Sequence, residues 1–147
     1  MVHWRIYQSA WLALQWAGWV PSPACFFMKY LAVLFTLFII AIIVLADKNA
    51  LPPFIRAIYD FPNGDKVGHF ILFGLLNFIL TLTFLRALPN QTRSRVALSV
   101  GLILALAITL EEFSQRYFSS RTFDLVDLAA SFLGLLVGGW VAFKLKK

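Results

Sequence analysis

Acidic residues are scarce: seven in 147, against thirteen lysines and arginines. Charged residues of both signs make up only 14% of the chain, too little to clothe the surface of a water-soluble domain of this length. Cys25 is the single cysteine, which excludes an intrachain disulfide and leaves the redox compartment open. The stretch SPAC has no leucine three residues before that cysteine, so it does not read as a lipid-attachment site. The N-terminus lacks both the basic opening run and the clean apolar core of a secretory signal. Internal repeats and low-complexity linkers are also missing.

What is present is hydrocarbon: 61% of the residues are hydrophobic and the mean hydropathy is +0.79. A spanning helix needs about 20 predominantly apolar residues, and four windows approach that, at Tyr30–Ala46, Val67–Leu85, Val96–Gln115 and Leu125–Phe143. The expected fold is therefore all-α, a polytopic membrane protein built as a four-transmembrane-helix bundle. Ahead of it, four tryptophans between Trp4 and Trp19 favour the headgroup zone. Residues 1–24 are thus expected to form an interfacial amphipathic helix, broken from the first span by Pro21 and Pro23. Residues 25–147 form the membrane domain.

Charge orients the chain. One side of the spans holds Arg5, Lys29, Arg86, Arg93, Arg95, Lys144, Lys146 and Lys147 and no acid; the other holds five basic residues and all seven acids. Basic residues in short connections stay cytoplasmic, so both termini are expected in the cytoplasm and the acidic side outside. The positive balance is spent on topology, and nucleic acid is excluded as a partner. The sequon at Asn90 would then face the wrong side for glycosylation.

The acidic side gathers its polarity in LEEFSQRYFSSRTFDLVD, residues 110–127, and in the entrance to the second span. His69, Glu112 and Asp127 each lie 16 residues from the basic-side flanks Leu85, Val96 and Phe143, roughly 24 Å up at 1.5 Å per residue. Lys66, Gln115 and Asp124 each lie 19 residues from the same flanks, one turn higher. Three helices therefore offer an i,i+3 polar pair at one depth, and such pairs share a face. An ionisable side chain at that depth is costly against lipid, so the groups are expected to face one another or an outward-facing polar pocket. Ala130, Gly134, Gly138 and Ala142 recur every four residues in the last span and permit close helix approach.

Plainer roles stand beside these. Asp65 reads equally as a helix cap, and Asp124 with Asp127 as a capping pair. Glu111 can snorkel outward, Arg116 and Arg121 can anchor to lipid phosphates, and His69 can be a packing histidine.

DKVGHFILFGLL followed by EEFSQRYFSSRTFDLVDLAASFLG resembles the VanZ-like membrane protein family over about residues 47–143. The family's ordered pattern falls on Asp65, Lys66, His69, Glu112, Gln115, Arg121 and Asp127, with Gly134 following; Ser131 stands where the family commonly carries asparagine. The resemblance implies a small multi-pass protein of the bacterial cytoplasmic membrane, and the family's name comes from a member linked to low-level teicoplanin resistance.

Function then divides into classes. In the first, the pocket binds or modifies a cell-envelope component, an envelope lipid or glycan precursor. Its phosphates would fall to Lys66, Arg116 and Arg121. His69, Glu112 and Asp127 are the candidate general acid/base set for hydrolysis through an activated water, and Asp65, Lys66, Gln115, Arg121, Asp124 and Ser131 the ligand-binding set. The same trio of His69, Glu112 and Asp127 is also the candidate metal site. In the second class the protein is a non-catalytic structural or accessory subunit whose polar network specifies packing. Transport is disfavoured, since the lower two-thirds of every span reads as apolar. The residues name no cofactor and leave catalysis and oligomeric state open.

Overall fold

The computed structural model describes residues 23–117 and 123–145 of the chain. Among these residues five α-helices run in order, α1 Pro23–Asp47, α2 Pro53–Tyr59, α3 Gly64–Ala87, α4 Arg93–Ser114 and α5 Leu125–Leu145, with a 3-10 turn, Gln115–Tyr117, closing α4. No strand occurs among the described residues. All but α2 are long and apolar enough to cross a membrane, so the protein is an all-α multi-pass membrane protein with four spans among the described residues.

Each span outruns its apolar window, because backbone hydrogen bonding carries the helix into the polar flank. α1 begins at Pro23, where a missing N–H is harmless in the first turn. Pro23 and Ala24, expected in the interfacial segment, therefore belong to the first span, and Pro23 opens that helix rather than breaking the chain before it; the rest of the segment lies outside the described residues. α2 was not foreseen. Pro53 opens it, and Arg56 ties it back to Asn49, donating to the side-chain oxygen at 2.5 Å and the carbonyl at 3.3 Å. Its Phe54 and Ile58 are exposed four residues apart, an apolar face beside the acidic membrane surface.

The outer surface of the bundle is apolar, with Leu98, Leu102 and Leu106 on α4 and Leu133, Leu136 and Trp140 on α5 all exposed, as befits a chain whose solvent is lipid. Inside, Ile39, Phe73, Leu76, Ile108 and Leu135 draw α1, α3, α4 and α5 into one core. Thr83 on α3 gives its hydroxyl proton to the Ile79 carbonyl of its own helix at 2.7 Å and lies 3.3 Å from the Met28 carbonyl of α1, so the last turns of α3 stand against the first turns of α1.

The most extensive packing joins α3 and α5. A Cβ built on Gly134 would overlap the Phe70 carbonyl, and one on Gly138 the Gly74 carbonyl. Ala142, on the same stripe, is wholly buried. The four-residue repeat of small side chains is thus the surface on which two backbones meet, as expected of GxxxG elements.

One feature of α3 overturns the expectation that the lower spans are apolar. Asn77 is buried and donates to the Leu135 carbonyl of α5 at 2.7 Å, while Thr81 donates to the Asn77 side-chain oxygen at 3.0 Å. These groups bond one another and the backbone, as polar groups in hydrocarbon must.

Candidate functional site

The polar ends of α3, α4 and α5 meet at one end of the bundle, and Lys66 is their hub. Its ammonium donates to Asp124 Oδ2 at 2.8 Å, Asp127 Oδ1 at 2.9 Å and Asp65 Oδ2 at 3.1 Å. The side chains of Lys66, Asp124 and Asp127 are 22%, 37% and 13% exposed, so the ion pairs lie at the rim of the bundle rather than in its centre. An ammonium has three donors, and these three carboxylates use them all. In this arrangement Lys66 has no donor left over for a phosphate.

The capping readings separate. Asp124 does cap α5: its Oδ1 accepts from the Val126 N–H at 2.8 Å, the expected geometry for an N-cap side chain. Asp127 makes no such return and gives its carboxylate to Lys66. Asp65 does not occupy the N-cap of α3, although its carboxylate stands among the first-turn N–H groups. Asn63 stands at the N-cap with a left-handed φ of 62° and no side-chain cap bond, a conformation asparagine tolerates.

Glu112 is fully buried and Gln115 is 2% exposed. Glu112 Oε2 accepts from Gln115 Nε2 at 3.0 Å, and Oε1 accepts from the Asp124 backbone N–H at 3.0 Å. That second bond stitches the end of α4 to the start of α5. Gln115 also donates to Glu111 Oε1 at 3.1 Å, so Glu111 is turned partly inward.

His69 sits lower than its count predicted. Its Nδ1 lies 3.1 Å from Ser131 Oγ, one turn below Asp127, and Ser131 Oγ donates to the Asp127 carbonyl at 2.9 Å. A hydroxyl has one proton and a carbonyl only accepts, so for both bonds to form, Nδ1 must be the donor to Ser131. The Nδ1–H tautomer follows, with Nε2 as the basic nitrogen of the neutral ring. Ser131 in this arrangement is no nucleophile, since His69 is not positioned to take its proton.

Arg116 stands apart from the network. Its guanidinium lies 5.0 Å from the Phe113 ring centre and 4.6 Å from that of Phe123, within cation–π range of both, and the residue is exposed. Arg121 lies outside the described residues.

His69, Glu112 and Asp127 are thus joined through shared partners at one end of the bundle, but each bonds a different neighbour. Among the described residues no three histidine, cysteine or acidic side chains form a set that could hold a metal ion, so the metal site the sequence allowed for this trio does not form. The Lys66 hydrogen bond and the Val126 N–H hold the Asp124 carboxyl below the usual carboxylate range. A depressed folded-state pKa adds stability that is complete above the ordinary value of about 4 and is lost as pH falls through the lower folded value. In detergent melts, the stability advantage of the wild type over Asp124→Asn is therefore expected to hold at pH 5–7 and shrink below about pH 4; a constant difference down to pH 2 would remove Asp124 from the ion-pair account.

No family model matches the chain, and no solved structure does. The chain is similar to the uncharacterized protein C11E3.10 of Schizosaccharomyces pombe (strain 972 / ATCC 24843), at 36% identity over 73 residues that cover 50% of this chain and 43% of that protein. It spans less than half the length of that curated relative. The similarity places a related segment in a fungus and carries no statement of activity.

Proposed function

We propose that this protein is a VanZ-like multi-pass protein that binds, and has the groups to modify, a polar headgroup component of the cell envelope at its acidic membrane face. The observation that supports this reading is the convergence of three helices on Lys66 and Glu112, which spends ionisable groups where leucines would span the membrane more cheaply. Arg116, exposed on its aromatic seat, is the group suited to a phosphate, because Lys66 is already saturated. His69, oriented by Ser131, supplies a basic Nε2, with Asp127 and Glu112 completing the acid/base set. By the resemblance and the charge bias, the setting is the bacterial cytoplasmic membrane, with both termini inside and the network outside. The fungal relative makes the headgroup chemistry the better description of the ligand than any cell-wall role.

A second reading is favoured by a specific observation: Lys66 and Glu112 are fully engaged by their neighbours. Buried polar networks between membrane helices often serve packing alone, which would make the protein a non-catalytic structural or accessory subunit. Native mass spectrometry of protein purified from its own membranes separates the two. Under the binding reading, an envelope lipid or glycan precursor co-purifies with the wild type and is lost from His69→Ala and Asp127→Asn while both variants stay monodisperse. Equal occupancy in all three, with a lowered melting temperature in Asp127→Asn, would overturn it in favour of the packing role.

A further inference from the structure

A second feature lies at the opposite, basic end of the bundle and owes nothing to the polar network. Between α4 and α5 runs a cleft of about 450 Å³. Ala97, Gly101 and Ala105 form its floor on α4, and Gly139 and Trp140 flank it on α5. It exists because the two helices meet through small side chains there: a Cβ on Gly101 would touch only the Asn77 amide, at an ordinary 3.9 Å.

Length and charge identify the occupant. The cleft runs from Ala97 to Ala105 on α4 and from Phe132 to Phe143 on α5, about 12 Å and 16 Å at 1.5 Å per residue, which is roughly half of a hydrocarbon core about 30 Å thick. One acyl chain needs the depth of one leaflet, which the cleft supplies. At the mouth, Arg93 shares the face of Ala97 four residues on, and Arg95 that of Leu98 three residues on. Both open the first turn of α4, where unpaired N–H groups attract anions. Lys144 ends α5 beside Phe143, which also lines the cleft, and its ammonium lies 6.0 Å from the Trp140 ring centre. All three cations are exposed, and among the described residues none enters a salt bridge. Interfacial tryptophan beside lysine is the usual furniture of a headgroup zone.

We propose that this cleft is a binding site for an anionic phospholipid, with one acyl chain lying against Gly101 and Gly139 and the phosphate held by Arg93, Arg95 and Lys144. Hydrocarbon fills a void that helix packing leaves open, and the positive mouth selects the headgroup. The site differs from a general basic membrane flank in having a built slot for the chain, so it distinguishes bound from surrounding lipid.

The test delipidates the purified protein, reloads it in detergent with phosphatidylglycerol or phosphatidylcholine, and counts retained lipid by native mass spectrometry. The wild type is expected to retain phosphatidylglycerol in preference. A basic side chain near a charged lipid contributes about 1 kcal/mol, so each of Arg93→Gln and Lys144→Gln is expected to weaken phosphatidylglycerol about fivefold while phosphatidylcholine is unchanged. Gly101→Leu, whose Cβ meets nothing closer than the Asn77 amide at 3.9 Å and whose branched end would occupy the slot, is expected to displace both lipids; the exposed charge variants keep the test open should it fail to accumulate. His69→Ala is expected to change nothing. Undiminished phosphatidylglycerol in Gly101→Leu would overturn the proposal, as would its loss in His69→Ala. A wild-type dimer that Gly101→Leu dissociates would also overturn it, by assigning the cleft to a second copy of the chain.

Discussion

Gly138→Leu is expected to be the most damaging single substitution in the chain. Even the first carbon of the new side chain would overlap the Gly74 carbonyl, and backbone cannot turn aside as a flexible side chain can. Overpacking a core costs typically about 1–3 kcal/mol, and a clash with backbone on the main helix interface belongs at or above the top of that range. α3 and α5 would have to separate, which withdraws Asp124 and Asp127 from Lys66 and Ser131 from His69. The expected result is loss of monodisperse protein on size exclusion, or a large drop in melting temperature. Gly101→Ala is the control, since its Cβ meets nothing closer than 3.9 Å and Ala favours helix over Gly by about 1 kcal/mol. A Gly138→Leu protein as stable as the wild type would mean that the tight α3–α5 crossing is wrong.

Glu112→Ala comes next. The substitution strands two N–H groups, one of the pair on the buried Gln115 amide, whose other still reaches Glu111, and the Asp124 backbone N–H, and leaves the space of a carboxyl-bearing side chain behind. An unsatisfied buried group costs about 1–3 kcal/mol, whereas cross-helix hydrogen bonds in membranes average nearer 0.6 kcal/mol, so a loss of about 1–3 kcal/mol is expected in all. Glu112→Gln keeps one acceptor and turns an amide toward one of the two donors, so roughly half the loss is expected. Denaturation in mixed micelles reads both. If Gln is as harmful as Ala, the stitch between α4 and α5 depends on the second acceptor alone; if neither matters, Glu112 is not holding the helices.

How far the site was legible from residue order is clearest at Asp127 and His69. Both were marked by the same reasoning, that an ionisable group within hydrocarbon needs a partner, and both are engaged across α3 and α5. Their partners were not those expected. Counting residues from span flanks fixes height to about a turn, and a turn is the difference between Asp127 and Ser131 as the neighbour of His69. Lys66 shows the limit in another way. Its charge said phosphate; its three carboxylate neighbours, two of them 58 and 61 residues distant, left no donor over. Asn77 escaped notice because one amide scarcely dents an apolar window, and only the approach of the Leu135 carbonyl gives it a purpose.

Four spans, with their boundaries to within about a turn except at the start of α1, follow from composition and helical rise, as does the polarity of one end of the bundle, because membrane thickness is a fixed ruler against which a sequence can be measured. The stripe from Ala130 to Ala142 likewise names one packing face in advance. Which helix meets that face, which carboxylate finds the ammonium, and that α4 and α5 stand apart enough to leave a slot were decided by tertiary structure. Rotation of each helix about its axis and the choice of neighbour depend on side chains far apart in the chain, and no local ruler measures them.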